Sequence, residues 1–291
     1  MSRPCATPPS STGSQVVPDG SPAATKASLP LYGLVELSAA KAEFWRAIGV
    51  EFKDAGGSHA PDRLDFARQT VPERIEPELL FSQICGYPLR KLFGSQAQVL
   101  AAPVYDAQYC EGATHCGVFV VHQKARYQCL ADLQGCRLVF GGPYSNSGMN
   151  LPRRAIAEIA GGSPFFGSAT ETDSQAGNLE LVARDEADAT CVDNVTYAYV
   201  GRHRPEVAVL LRVLALTPRS PSIPFVTAIA TESAAVERLR RALRAVATAP
   251  RWAEVRAGLM LGDIVAIEDA RYDRLLEYEQ EAVELGYPIL C

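Results

Sequence analysis

A short polar turn, Gly141–Gly148, follows the apolar run 136–140 and precedes a helix-like start at 149–156. This strand–turn–helix order restricts the chain to folds in which strands and helices alternate. The first N–H groups of a helix have no intrahelical acceptor, and the positive end of the helix dipole points the same way, so such a turn can bind an oxyanion. Ser and Asn are also frequent helix caps. The turn therefore predicts either an anion site at Ser145, Asn146 and Ser147 or a plain capped helix.

Strand-like and helix-like runs alternate along the rest of the chain, which predicts an α/β fold. We expect strands or extended runs at 29–34, 98–104, 117–122, 187–192, 208–217 and 223–230, and a turn at 83–88. We expect helices at 39–55, 151–160, 178–184, 234–247, 251–257 and 269–285. In the first helix, Phe44, Trp45, Ile48 and Phe52 share one face, with Ser38 as its cap and Gly161 closing the second.

Polar residues follow several of the apolar strands, where open α/β sheets bind their ligands. The candidates for a ligand cleft between two lobes are Ser145, Asn146, Ser147, Asp193, Tyr32, Ser82, Gln83, Tyr87 and Tyr105. Each has a structural alternative: a carboxylate at Asp193 also caps a helix beginning at Asn194, and tyrosines also pack in cores. His115 and His122 are candidates for acid/base work in principle, and a strand-edge position is the alternative for His122.

Composition excludes several classes of protein. The chain has 291 residues, a formal net charge of −5 and no apolar stretch near the ~20 residues of a membrane span, so we expect neither nucleic-acid binding nor membrane insertion. No P-loop, nucleophile elbow or zinc-helix motif occurs, and the spacing of Cys110, His115 and Cys116 is poor for zinc. We expect no metal and no cofactor. The eight cysteines lack a CxxC pair and slightly favour a reduced compartment.

Several segments together resemble a known family. They are residues 80–88, 103–106, 132–137, 144–148, 187–189 and 192–193, among them a D-L-x-G-x-R segment followed by a strand and an S-x-S-G turn. From about Leu29 onward the chain resembles the PhnD-like phosphate/phosphite/phosphonate substrate-binding proteins of ABC transporters. The resemblance implies the type II periplasmic-binding-protein fold, in which two α/β lobes meet at a central cleft and two hinge crossovers join them.

The resemblance also implies domains and residue roles. Lobe 1 would comprise 29–108 plus 214–291 and lobe 2 residues 109–213, after a disordered leader at 1–28. Ser145, Asn146 and Ser147 would hold the phosphonate oxygens, and Asp193 would lie near a ligand amine. Gln175 stands where family members commonly carry a histidine, so this position brings a hydrogen-bond donor without a positive charge.

The expected function is capture of a small oxyanion for ABC-type uptake by a monomer that performs no chemistry and docks on an ABC permease. One alternative is an enzyme on the same fold, of the type that makes thiamin or menaquinone precursors, with Asp193 or Asp106 as acid or base. Another is a cytoplasmic ligand sensor. The sequence as written shows no signal peptide, which predicts a cytoplasmic location, or a periplasmic one if the true start or signal is missing.

Overall fold

The computed structural model describes residues 25–58 and 60–291. Its strands are β1 Lys26–Ala27, β2 Leu79–Gln83, β3 Ala97–Tyr105, β4 Thr114–His122, β5 Arg137–Phe140, β6 Ser168–Glu171, β7 Ala189–Asp193, β8 Leu211–Pro221, β9 Phe225–Ala228 and β10 Leu261–Val265. Its α-helices are α1 Ser38–Asp54, α2 Gly86–Leu92, α3 Leu151–Ala160, α4 Gln175–Ala183, α5 Asn194–His203, α6 Pro205–Ala208, α7 Ser233–Thr248, α8 Ala253–Gly258 and α9 Arg274–Glu284.

The strands form two mixed five-stranded sheets, which confirms the predicted α/β class. The first has the order β1-β2-β9-β3-β10 and the second β6-β5-β7-β4-β8. In the second sheet, β5 pairs in parallel with β6 and β7, while β4 runs antiparallel to β7 and β8. The carboxyl ends of β5, β6 and β7 therefore lie at one edge, and the polar turn 141–148 begins there.

The chain passes from the first sheet to the second through residues 106–113 and returns through 222–224. The two-lobe division at 29–108 plus 214–291 and 109–213 stays a prediction. The strand pairing places residues 214–221 in the second sheet beside β4. The C-terminal residues also contact the second sheet's side. Arg154 on α3 donates to Glu281, and the carbonyl of Cys291 accepts from the N–H of Phe165 in the loop between α3 and β6.

Helix α1 is amphipathic as predicted. Phe44, Trp45, Ile48 and Phe52 are all buried, and the Trp45 ring stacks on Phe81 of β2 with 5.3 Å between ring centroids. Ser38 is helical and caps nothing, because a 3-10 turn at Val35–Leu37 runs directly into the helix. Gly161 closes α3 in the left-handed conformation at φ 58°, as its lack of a side chain allows.

The prediction of a strand at 29–34 is wrong. The strand lies earlier, at β1, and residues 29–34 form an irregular segment in which Pro30 has no N–H and Tyr32 adopts φ 54°. Residues 83–88 do not form a simple turn either, since α2 begins at Gly86 and accommodates Pro88 in its first turn. Of the predicted leader 1–28, residues 1–24 lie outside the described residues, and the last four begin the first sheet.

Candidate functional site

A cleft of about 760 Å³ lies between the two sheets. One wall comes from the first sheet's side, through residues 30–34, 69–71, Cys85 and Ile223. The opposite wall comes from loops at the carboxyl ends of β5, β6 and β7, which supply residues 141–145, Ser147, 171–176, Asp193 and Thr196. Both sheets thus contribute to one concave surface of a size that suits a small ligand.

The polar turn after β5 leads into a π-helical turn, Asn146–Asn150, that continues as α3. Ser145 precedes it in extended conformation, and its Oγ accepts from the Gly148 N–H at 3.0 Å. A Cβ at Gly148 would lie 2.7 Å from that oxygen, so only glycine permits this approach. Asn146 and Ser147 are in the first turn, where backbone N–H groups have no intrahelical acceptor. Ser145 is therefore both a cap and a cleft residue.

Gln175, the first residue of α4, links this turn to β7. Its Nε2 donates to the Oγ atoms of Ser145 at 3.2 Å and Ser147 at 3.3 Å. Its Oε1 accepts from the Asp193 N–H at 2.7 Å. The amide thus holds together two strand ends and both serine hydroxyls.

Asp193 is buried at the end of β7 and has both carboxylate oxygens engaged. Oδ1 accepts from the Val195 N–H at 2.8 Å, which caps α5, and Oδ2 contacts His115 Nδ1 on β4. His115 is also buried, so the two side chains form an enclosed polar pair. The structure therefore confirms a capping role for Asp193 and adds a histidine partner.

The charged side chains among the described residues of the cleft lining are all acidic. Glu171, Asp173 and Asp193 line it, and among the lining residues that the structure describes there is no Lys, Arg or His. Glu171 and Asp173 are exposed at the rim, whereas Asp193 lies deep. A bare anion would meet these carboxylates without a compensating cation.

Helix α1 contacts the cleft wall on the first sheet's side through a buried lysine. Lys41 Nζ donates to the carbonyl oxygens of Leu31 at 2.6 Å and Tyr32 at 2.9 Å. Burial lowers the pKa of Lys41 to about 8. The ring of Tyr32 packs edge-on against Tyr105 and Tyr199, and burial followed by the Asp193 charge raises the pKa of Tyr32.

The nine candidate residues divide into two groups. Ser145, Ser147, Asp193 and Tyr32 line the cleft. The other five are not among its lining residues. Asn146 donates to Ser220 Oγ, Ser82 pairs with Ser28, and Gln83 donates to Tyr105 and to the Ile223 carbonyl. Tyr105 packs edge-on against Tyr32, and Tyr87 accepts from Lys91. Residues of this second group support the lining.

Sequence reasoning missed several lining residues, namely Cys85, Glu171, Thr172, Asp173 and Thr196. Thr196 lies three positions after the capping residue Asp193, in the first turn of α5, and it lines the cleft. This spacing from the cap could have identified it. The pairing of His115 with Asp193 had no such signal, because it depends on the antiparallel register of β4 with β7, in which Gly117 pairs with Asp193.

Two further observations concern metals and membranes. Across residues 25–58 and 60–291, no cluster of three or more His, Cys, Asp or Glu side chains is arranged to hold a metal ion. Within the same described part of the chain, no helix combines the length and apolar character needed to cross a membrane.

Comparison with known proteins gives a family and a fold. The family model "ABC transporter, phosphonate, periplasmic substrate-binding protein" matches residues 81–272, more than half of the chain. No curated protein matches. A binding-protein component of an ABC phosphonate transporter from Pseudomonas aeruginosa is 16% identical, with a TM-score of 0.72 over 90% of this chain and 87% of that one.

Two other solved structures are similar. PhnD1 from Prochlorococcus marinus, in complex with methylphosphonate, is 13% identical with a TM-score of 0.69, over 90% of this chain and 99% of that one. A Xanthomonas citri protein bound to ATP is 14% identical with a TM-score of 0.66, over 90% of this chain and 98% of that one. At these identities the structures share the type II periplasmic-binding-protein fold with this chain.

Proposed function

Because the chain belongs to the family of periplasmic substrate-binding proteins of phosphonate ABC transporters, we propose that it captures a phosphonate bearing a positively charged group. It delivers this ligand, as a periplasmic monomer, to an ABC permease. The phosphonate oxygens lie against the Ser145–Ser147 turn, and the cationic group lies toward the carboxylates.

The charge of the cleft lining carries this proposal. Hydroxyl and N–H donors lie at the serine turn, while Glu171, Asp173 and Asp193 supply negative charge, and none of the lining residues that the structure describes supplies a cation. A zwitterion matches both features, because its anionic end accepts hydrogen bonds and its cationic end offsets the carboxylates. A purely anionic ligand satisfies only the first.

We infer binding without chemical conversion. The alternative of an enzyme on this fold would use Asp193 or Asp106 as acid or base. Both oxygens of Asp193 are already engaged, and Asp106 is exposed outside the cleft lining. The crossovers 106–113 and 222–224 are the segments about which the lobes would move.

The test compares two probes, 2-aminoethylphosphonate and methylphosphonate, by calorimetry and thermal unfolding. A ligand at 100 times its Kd adds about 2.7 kcal/mol to the free energy of unfolding, so binding is visible as a rise in Tm. We expect both probes to bind and 2-aminoethylphosphonate to bind more tightly. Failure of both to bind would rule out phosphonate capture.

The variant Glu171→Gln/Asp173→Asn tests the cationic end. Both residues are exposed, so the fold should tolerate the change. We expect about a fivefold loss of affinity for 2-aminoethylphosphonate, the scale of an exposed ion pair, and no loss for methylphosphonate. The matched control Asp62→Asn/Glu254→Gln removes the same charge from exposed sites outside the cleft lining. Equal losses for both probes would contradict the assignment of the rim carboxylates.

A further inference from the structure

The orientation of the Gln175 amide is determined by its partners. The Asp193 N–H can only donate, so the atom 2.7 Å from it must be the acceptor Oε1. The opposite orientation would place two donors against each other. Nε2 therefore faces Ser145 and Ser147, and its two hydrogens suffice for one bond to each Oγ.

This orientation determines what the Ser145 hydroxyl can do. Its Oγ accepts from the Gly148 N–H at 3.0 Å and from Gln175 Nε2 at 3.2 Å, which uses both lone pairs. The hydroxyl hydrogen then has to donate, and Ser145 lines the cleft. Ser147 Oγ also accepts from Gln175, so its hydrogen is likewise available to a ligand.

We propose that Gln175 makes the Ser145 hydroxyl an obligatory donor, so that the oxyanion end of the cleft selects the phosphonate dianion over its monoprotonated form. The proposal rests on the proposed function and specifies the protonation state of its ligand. A P–OH group directed at Ser145 would oppose donor to donor. An ionised oxygen accepts from the hydroxyl and from the N–H groups of the first helical turn.

The titratable groups around the serines are engaged in other contacts, neutral, or exposed. Asp193 Oδ1 caps α5 and Oδ2 contacts His115. Cys85 faces the same turn, and burial raises its pKa to about 11, so the thiol is neutral. Glu171 and Asp173 are exposed at the rim, where water competes for their oxygens. A protonated phosphonate oxygen placed at Ser145 therefore meets a hydroxyl that has to donate.

The direct test is ³¹P NMR of methylphosphonate bound to the wild-type chain between pH 5.5 and 8.5. Free methylphosphonate changes its chemical shift as it loses its second proton. We expect the bound resonance to keep the dianion shift throughout, and the affinity to fall about tenfold per pH unit below the ligand's second ionisation, because only the dianion binds. A bound resonance that titrates at or above the free ligand's pKa would overturn the proposal. Absence of a bound resonance at every pH would refute phosphonate capture itself.

The variant Gln175→Glu reverses the polarity of this contact. Its carboxylate can still accept from the Asp193 N–H, but it also accepts from the serine hydroxyls and repels an anion. We expect affinity for methylphosphonate at pH 8.5 to fall by about 100-fold. Gln134→Glu, at an exposed position outside the cleft lining, is the charge-matched control and should leave affinity unchanged.

A second variant, Gln175→Met, keeps the length of the side chain and removes both polar atoms. It frees a lone pair on Ser145, so its hydroxyl can also accept. We expect the bound ³¹P resonance to titrate in this variant while the chain remains folded by circular dichroism. A bound resonance fixed at the dianion position in Gln175→Met would show that Gln175 does not impose the selection.

Discussion

At the scale of single residues, Ser145 is both a helix cap and a cleft residue, whereas Ser147 has the second of these roles. Ser145 Oγ caps the turn before α3 and faces the cleft, whereas Ser147 faces the cleft and accepts from Gln175. We expect Ser145→Ala to lose about 1 kcal/mol of stability through the cap and also ligand affinity. Ser147→Ala should lose affinity with less change in stability. Urea unfolding without ligand and calorimetry with methylphosphonate measure the two effects; equal destabilisation by both variants would contradict the separation.

Asp193 shows which contacts of a single residue can be predicted from the sequence. Its place after an apolar strand and before Asn194 left a ligand contact and a helix cap as alternatives, and its hydrogen bond with the Val195 N–H shows the cap. Its contact with His115 was not predictable, since 78 residues separate the two and only the register of β4 with β7 brings them together. Local hydrogen bonds leave a pattern in the sequence, whereas contacts across a sheet depend on tertiary structure.

At the scale of elements, strongly apolar segments were predictable and polar ones were not. Helix α1 buries seven of its 17 residues and strand β7 buries all five, and both lie where hydrophobic periodicity placed them. Strand β6 is an edge strand with mainly exposed residues, so it has no apolar pattern to detect. Residues 29–34 are apolar yet irregular, because Pro30 and the φ of Tyr32 are incompatible with a regular strand.

The contact between α1 and residues 29–34 makes stability depend on pH. Burial lowers the pKa of Lys41 from its ordinary value to about 8, so between pH 8 and about 10.4 the unfolded chain binds more protons than the folded one. The contribution of Lys41 to the free energy of unfolding therefore rises with pH in this window. Between pH 7 and 9.5 the wild type should gain about 2 kcal/mol relative to Lys41→Met, which has no such proton.

Urea unfolding of both chains at several pH values measures this gap. Burial raises the pKa values of the Cys85 and Cys110 thiols and of the Tyr32 phenol, which act in the opposite direction at high pH. The wild type and Lys41→Met both carry these groups, so their effects cancel in the gap. Lys53→Met, at an exposed site on the same helix, is the control and should show no pH-dependent gap. A constant difference between wild type and Lys41→Met would contradict an effect of Lys41 burial.

At the scale of the whole molecule, the two sheets are joined by contacts other than the crossovers. Tyr199 on α5 donates to the Leu259 carbonyl at 2.7 Å. Arg204, after α5, contacts both oxygens of Glu36 at 2.8 and 3.0 Å and reaches Glu180 on α4. Glu36 precedes α1 on the first sheet's side, whereas Arg204 and Glu180 lie on the second sheet's side. These three residues therefore form a bridge between the two sides. Such a bridge can bias the opening of a two-lobed protein by its own interaction energy and no more.

Breaking this bridge should favour separation of the lobes. The partners are partly exposed, so the bridge contributes on the order of 1 kcal/mol at most, and Arg204→Gln should raise the Kd for methylphosphonate about twofold to fivefold and increase the unliganded radius of gyration. The side-chain hydrogen bond from Arg204 lowers the pKa of Glu36 to about 2. The effect is therefore present above about pH 4.3, the ordinary glutamate pKa, and is lost as pH falls toward 2.

Arg184→Gln is the matched control. It removes an arginine that contacts Glu180 and Glu186 on the second sheet's side, and it should change neither the Kd nor the radius of gyration. Small-angle X-ray scattering at pH 7 decides the matter: equal radii for wild type and Arg204→Gln would mean that the bridge does not hold the lobes together.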